Sequence, residues 1–527
     1  MSNAKQPSQS DGDERVTALV SNANAVGAVA AAVEGTLGPK GLDCMLVDRY
    51  GDVTITNDGS TILDRIDANH PAARMLIKTA KAQEEEVGDG TTTATLLAAA
   101  LVAEGVNQAN RGVPIAKIIE GISAGIDRAS EVLHEHSRPI AGLDDPLLRQ
   151  AALIAGRGHA DLADLAVEAA RTVGRKAFDD RAFRLADCVV AAEGADNEVF
   201  VGLIIDKSPM NKQMPKELRA VKVLVVDDAL EPEQIEDDAL ATEAGFAKYM
   251  ELKEEFRAAI RAIIELGVKF VVTDKAVDDE AEEMLTDAGA MVIRRVSSRD
   301  MARIVDHTGA RTIKRGGLKK SAEELKRALG RARRVTYDER LEHIRIIGGR
   351  GRPMATILVG AATEEVKAER ERIAYDAASA VQQALLGGVV AGGGAAELAA
   401  VSEVERLRDG IKGMAAYGVD CVVAALKRPM TQIVANAGFN PLEKVEDAVA
   451  ASVDGAISHA IDCDSGEVAD MFDSGIVDPA PVKTYALRAA GEVAEAILRI
   501  NTIIRKRDQT GAGPVAAAGE TTEAQPK

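Results

Sequence analysis

Between residues 221 and 296, three short apolar runs alternate with helical patterns. The runs are VKVLVV at Val221–Val226, FVVT at Phe270–Thr273 and MVIRRV at Met291–Val296; the helical patterns cover Lys248–Leu266 and Asp278–Ala288. Strand, helix, strand, helix, strand commits this stretch to a parallel sheet, because parallel neighbours need a crossover and a helix supplies it. Ala-rich helical patterns lie on both sides. Before it, Val16, Leu19, Val20, Ala23, Val26, Ala30 and Val33 recur at helical spacing, and helices are expected over 71–86, 91–109, 114–135 and 145–173. Two β-like runs, Cys44–Val47 and Val53–Thr56, interrupt them. After residue 356 a long helix over 364–386 is broken at Gly387-Gly388 and Gly392-Gly393-Gly394, and further helices run to about Arg507. Helical blocks around an α/β block fit a middle unit inserted into a discontinuous outer domain. Glu231–Met250 is too long for a simple crossover and reads as a loop or a projecting helical arm. Residues 1–13 and the tail GAGPVAAAGETTEAQPK read as disordered.

A chain of 527 residues suggests about three domains. Aromatics are 3 % with no Trp, so the cores must be built from Ala, Val, Leu and Ile. The formal charge of −19 argues against a general nucleic-acid or anionic-membrane surface. Cys44, Cys188, Cys421 and Cys463 are scattered without a CxxC, which suits reduced, buried thiols in a cytosol better than disulfides or a zinc site. The histidines show no metal or triad spacing. With a polar first stretch and no run of membrane-spanning length, a cytoplasmic protein is the expectation.

Chemistry concentrates in Glu84–Thr95, EEEVGDGTTTAT. Gly88 and Gly90 allow a tight turn with positive φ, and the following helix start offers free amides to an anion, with hydroxyls from Thr91, Thr92 and Thr93. Asp89 beside a phosphate would be repelled unless a cation lay between, so the motif reads as phosphate plus Mg²⁺. The bland alternative is a capped helix start with Asp89 as cap. Asn57-Asp58-Gly59, after alternating β residues, reads as a hairpin turn when taken alone.

Five segments, GTLGPKG, NDGSTIL, GDGTTTAT, AGGGAAE and VDPAPVKTYAL, stand in the order and spacing of the chaperonins. The chain resembles the group II type, the thermosome and eukaryotic cytosolic chaperonin, through MLVDRYGDVTITNDGSTIL, HPAARMLI and the insertion after the first strand of the middle block. VGAATEEVKAERERIAYDAASA departs from the archaeal pattern and points to the divergent bacterial group III branch. The resemblance implies a multidomain fold. Residues 1–140 and 387–510 would form a mainly α-helical equatorial ATP-binding domain, and 141–211 with 357–386 a small α+β intermediate hinge. Residues 212–356 would form an α/β apical substrate-binding domain, with a helical lid protrusion at about 230–256 and a disordered tail at 511–527.

The resemblance also implies roles. Asp376 would position the attacking water and Asp58 would lie near the γ-phosphate of ATP; Asp89 would hold Mg²⁺. Thr36, Leu37, Gly38 and Pro39 would line the phosphates from one loop, and Gly88, Asp89, Gly90, Thr91, Thr92 and Thr93 from another. Gly392 and Gly393 would lie against adenine and ribose, Asp478 at the ribose hydroxyls, and Arg157 where group II members carry a γ-phosphate-sensing lysine. The implied activity is ATP-driven folding of non-native protein clients inside stacked double rings, eight subunits to a ring in group II. The lid would be built in, with no detachable co-chaperonin, nucleic acid or membrane partner. The competing readings are a hydrolysis-impaired holdase or regulatory ring subunit, and a small-molecule phosphotransferase using the same Mg·ATP cradle.

Overall fold

The computed structural model describes residues 9–51, 53–233, 242–453, 455–500 and 502. The chain opens with α1 (Gln9–Val33), so the helix expected from Val16 starts earlier, and the disorder expected over 1–13 is replaced by helix from Gln9; residues 1–8 lie outside the described set. Then come β1 (Cys44–Val47) and β2 (Val53–Thr56), which pair antiparallel, and α2 (Gly59–Arg65), α3 (Pro71–Val87), α4 (Thr91–Asn110) and α5 (Ile115–Glu135). The single helix expected over 145–173 is two, α6 (Pro146–Ala155) and α7 (Ala160–Val173). They part at Gly156-Arg157-Gly158, where Arg157 and Gly158 both take positive φ, which no helix continues through.

The strands β3 (Val189–Glu193) and β4 (Glu198–Ile205) lead into β5 (Glu217–Val226). Next follow α8 (Glu243–Glu265), β6 (Val268–Thr273), α9 (Asp279–Asp287), β7 (Met291–Ile293), α10 (Ser298–Thr308) and α11 (Ala322–Ala328). β5, β6 and β7 are parallel neighbours, as the alternating pattern requires. Helices α8 and α9 cover one face of this parallel part and α10 the other, which is why its strands read as continuous apolar runs. Of the segment expected to project at 230–256, residues 234–241 lie outside the described set; from Thr242, whose hydroxyl accepts from the Gly245 amide, it is the first half of α8.

Three strands are not the whole sheet. β8 (Gly330–Asp338), β9 (His343–Gly349) and β10 (Ala355–Ala361) join β3 and β4 to give an eight-stranded mixed sheet in the order β3-β10-β4-β9-β8-β5-β6-β7. The first half of β4 pairs with β10 and the second with β9, so the chain passes from one core to the next inside a single strand. After β10 come α12 (Glu364–Gly387), β11 (Val389–Ala391), α13 (Ala395–Gly410), α14 (Ala416–Asn436) and α15 (Pro441–Val453). The last elements are β12 (His459–Ile461), β13 (Val468–Asp470), β14 (Val477–Pro479) and α16 (Ala480–Leu498). The last described helix ends at Leu498; the stretch to Arg507, where helix was expected, and the tail at 511–527 lie outside the described residues apart from 499, 500 and 502.

The cores explain the path. One large cluster joins residues of α1 to α5 with residues of α13 to α16, for example Leu101 and Ile122 with Val422 and Ala494. A second joins α6 and α7 to β10 and α12, and the sheet of the middle block carries a cluster on each face. Chain segments some 300 residues apart in sequence are thus buried against each other.

Candidate functional site

The start of α4 carries the motif singled out in the sequence. Its preceding residue, Gly90, has φ +84 and no side chain caps the helix, so the reading of Asp89 as cap is not what forms. Asp89 Oδ1 instead accepts from the adjacent Gly90 amide at 2.5 Å. Thr91, Thr92 and Thr93 are buried, yet none of their hydroxyls hydrogen-bonds to another described group. Uncapped amides and free hydroxyls at a helix start form an anion cradle. Gly88 closes α3 in the left-handed conformation, and a Cβ there would lie 2.3 Å from Ser379 Oγ, so α12 packs directly on the loop. Buried Gln83 fixes the loop from below, donating to the carbonyls of Asp89 at 2.7 Å and Val482 at 3.2 Å.

Asp58 caps α2: its carboxylate accepts from the Ser60 and Thr61 amides at 3.3 and 2.8 Å and from the Thr61 hydroxyl at 2.6 Å. The hairpin-turn reading of Asn57-Asp58-Gly59 gives way to this cap, the hairpin itself turning between Val47 and Val53. A Cβ on Gly59 would sit 2.4 Å from Thr92 Oγ1, so Asp58 is carried to the mouth of the cradle. Thr36 donates to the Val33 carbonyl at 2.8 Å, and Asn436 holds the next turn through the Glu34 and Leu37 carbonyls at 2.9 and 2.8 Å. Gly38 takes φ +85 against Ile433, ahead of Pro39.

On the remaining sides stand α12 and the last strand. Asp376 is buried on α12, with Arg157 Nη2 3.6 Å from its Oδ2. The same guanidinium hydrogen-bonds Asn57 and, at 2.8 Å, Glu369. Arg372 donates to the hydroxyls of Thr56 and Thr61 at 2.6 and 3.1 Å, pairs with Glu369 and lies 3.7 Å from Asp58. β14 pairs with β11, which sets Asp478 opposite Val390; a Cβ on Gly392 would lie 3.3 Å from Asp478 Oδ2. Gly393 has φ +65. Asp478 is ion-paired at 2.9 Å with Lys483, which is also 3.0 Å from buried Glu397.

Acid groups crowd this cleft. Burial raises the Asp376 carboxyl well above the ordinary range, and the charges of Asp89, Glu84 and Asp58 add to it against Arg157. Asp89 is raised by burial and then by Asp478, opposed by the Gly90 amide, Lys483 and Arg157. Glu84 is pushed up to about 7 by burial, Asp58 and Asp89. Burial alone would lower Lys483, but Asp478 and Glu397 hold it above the usual lysine range. Burial and the close approach of like charges raise these carboxyls together, and such a cleft is one that a cation would suit. Among the described residues no three His, Cys, Asp or Glu side chains form a ready-made metal cage. One carboxylate beside an anion cradle would fit Mg²⁺, an ion that keeps most of its waters and shares ligand oxygens.

Asp58, Gly88–Thr93, Arg157, Asp376, Gly392–Gly393 and Asp478 therefore converge, although they span most of the chain, while the Thr36–Pro39 turn is held against α14 and reaches α4 at its Thr36 end. Glu84, Glu369, Arg372, Lys483 and Glu397 join them without having been singled out. Glu369, Arg372 and Asp376 recur at helical spacing on α12, a signal that was available. Glu84 inside a Glu-Glu-Glu run looks only like a solvated face.

Residues 29–508 match the family model of the TCP-1/cpn60 chaperonins. A thermosome subunit of Pyrococcus abyssi is 34% identical over 497 residues, covering 90% of this chain and 89% of that one. The thermosome subunit beta of Archaeoglobus fulgidus is 34% identical over 499 residues, covering 92% and 91%. A crystal structure of a group III chaperonin in the open state superimposes with a TM-score of 0.86 at 45% identity, over 93% of this chain and 100% of that one.

Proposed function

The chain belongs to the TCP-1/cpn60 chaperonin family, and from that premise we propose that it is an ATP-dependent protein-folding chaperone of the double-ring type with a built-in lid. The observation that carries the ATPase half of this reading is the convergence of Asp58, Asp89 and Asp376 on the uncapped start of α4. The α4 amides, Thr91–Thr93 and the Leu37–Pro39 turn hold the triphosphate, and Gly392, Gly393 and Asp478 take the nucleoside end. Asp89 would hold Mg²⁺, which when bound would neutralise phosphate charge. Asp376 accepts a hydrogen bond from the attacking water and orients it in line; Arg157 faces both Asp376 and the phosphate end. Asp376 belongs to a helix whose core is separate from that of α4, so completing this arrangement depends on how the two bodies close.

The proposed division is equatorial for 1–140 and 387–510, intermediate for 141–211 and 357–386, and apical for 212–356, with the lid at about 230–256. Capture of apolar segments would precede closure and release of the confined chain. No helix among the described residues is long and apolar enough to cross a membrane, and the proposed place of action is the cytoplasm, without a separate co-chaperonin. A hydrolysis-impaired holdase is not favoured, because the three carboxylates are all in place. Asp376→Ala should retain nucleotide binding while steady-state phosphate release falls by roughly 10²–10⁴. Unchanged turnover would sink the assignment.

A further inference from the structure

At position 333 of β8 the sheet of the middle block is deformed across three strands. The ladder runs Arg219↔Arg334 and Val221↔Ala332 on one side, and Arg334↔Ile347 and Ala332↔Gly349 on the other. The residues that flank Arg333, Ala220 and Gly348, both have positive φ, +51 and +68. For alanine inside a strand this conformation is strained, and such strain persists where the surroundings impose it. Its consequence is a break in the in–out alternation of β8, so that Arg333 and Arg334 are both exposed. A cleft of about 700 Å³ opens there, lined by Arg219, Lys222, Arg331, Arg333, Arg334 and Arg350.

Little offsets that charge. Arg219 pairs with Glu217, and Lys222 donates to the Leu266 carbonyl. Arg331, Arg333, Arg334 and Arg350 make no side-chain hydrogen bond or ion pair with another described residue. Carboxylates are not scarce, with 83 Asp and Glu against 64 Lys and Arg. Unpaired cations gathered in a concavity attract an anion from outside. We propose that this cleft holds a run of Asp or Glu side chains in a non-native client polypeptide. This rests on reading residues 212–356 as the client-facing domain, and adds charge to the apolar capture described there.

The lining chooses among anions. Guanidinium forks match carboxylates two bonds at a time. The cleft's named walls otherwise contain Ala, Val and Gly with no aromatic on which a base could stack, and a chain of net charge −19 repels a nucleic-acid backbone elsewhere. The volume is that of a pocket for a few residues.

The test uses the assembled protein and a fluorescein-labelled Glu-rich decapeptide, read by anisotropy at low salt, with a Ser-for-Glu peptide as control. The Glu peptide should bind, lose affinity as salt rises, and bind at least roughly tenfold more weakly to Arg331→Gln/Arg333→Gln/Arg334→Gln, the scale of one charge-assisted hydrogen bond or more. Arg334→Gln alone, at an exposed position, should weaken it by about threefold and covers the case in which the triple variant fails to fold. Equal binding by the variants, or of the Ser peptide, overturns the proposal. Stronger displacement by oligo-dT than by unlabelled Glu peptide overturns it in favour of nucleic acid. Altered sedimentation of the variants with peptide binding intact makes the cleft a contact between copies instead. ATP turnover and protection of an unfolded, non-acidic client should persist in the variants; their absence in the unmodified protein would count against the chaperone reading, not against the cleft.

Discussion

Glu84 shows how one side chain reports the crowding around the cradle. It is half-buried near the C-terminal end of α3, and burial with the charges of Asp58 and Asp89 raises its carboxyl from an ordinary 4.5 to about 7. Between those values the folded chain keeps a proton that the unfolded chain has released. The folded state then binds more protons, so stability falls as pH rises through the window. The contribution is fully present below about 4.5 and lost above about 7. Glu84→Gln imitates the protonated form. In the nucleotide-free protein it should flatten the fall in urea midpoint between those pH values and raise the midpoint on the alkaline side. Asp376 and Asp89 are displaced in the same direction, so some slope remains in the variant. A slope as steep as the parent's would mean Glu84 does not carry the charge strain assigned to it.

Among the elements, the crossing of α5 and α14 sets the frame behind the site. A Cβ on Gly121 would fall 2.0 Å from the Ala415 carbonyl oxygen and 2.7 Å from Gly418 Cα, so the two backbones nearly touch. Gly121→Val should force the helices apart and cost about 3 kcal/mol, as overpacking does where backbone cannot yield. Gly27→Ala, exposed inside α1 with open space at its Cβ, should gain about 0.5–1 kcal/mol. Chemical denaturation of both variants checks the contrast; equal effects would refute the close crossing. No periodicity announces such glycines, whereas β5, β6 and β7 were legible because burial on both faces writes them as apolar runs. β8 was not, since the consecutive Arg333 and Arg334 break its alternation. The break between α6 and α7 was hidden too: Arg157 at φ +52 leaves the helix while its guanidinium pairs with Asn57, Glu369 and Asp376 far along the chain. Contiguous loops such as Gly88–Thr93 could be read locally. Lys483 and Glu397 acquire meaning only once β14 is laid beside β11.

Taken as a whole, the subunit leaves an apolar face of its first hairpin without cover. β1 and β2 form a two-stranded sheet, and their pairs Met45↔Ile55 and Val47↔Val53 put four apolar side chains on the outward face. Met45 is 63% and Ile55 57% exposed. An isolated hairpin is marginal in water, and an exposed apolar face on open strand edges invites a further chain. In a family that assembles as rings, a second copy is the natural cover. Burying one large apolar side chain stabilises by about 1.5–3 kcal/mol, so replacing two should weaken each contact by about 3–6 kcal/mol, or two to four orders of magnitude in association. Met45→Glu with Ile55→Lys should therefore leave the helical signal of the subunit intact while sedimentation shifts from large assemblies to single chains. Intact rings in that variant would mean this face meets solvent, and that subunits are held together elsewhere.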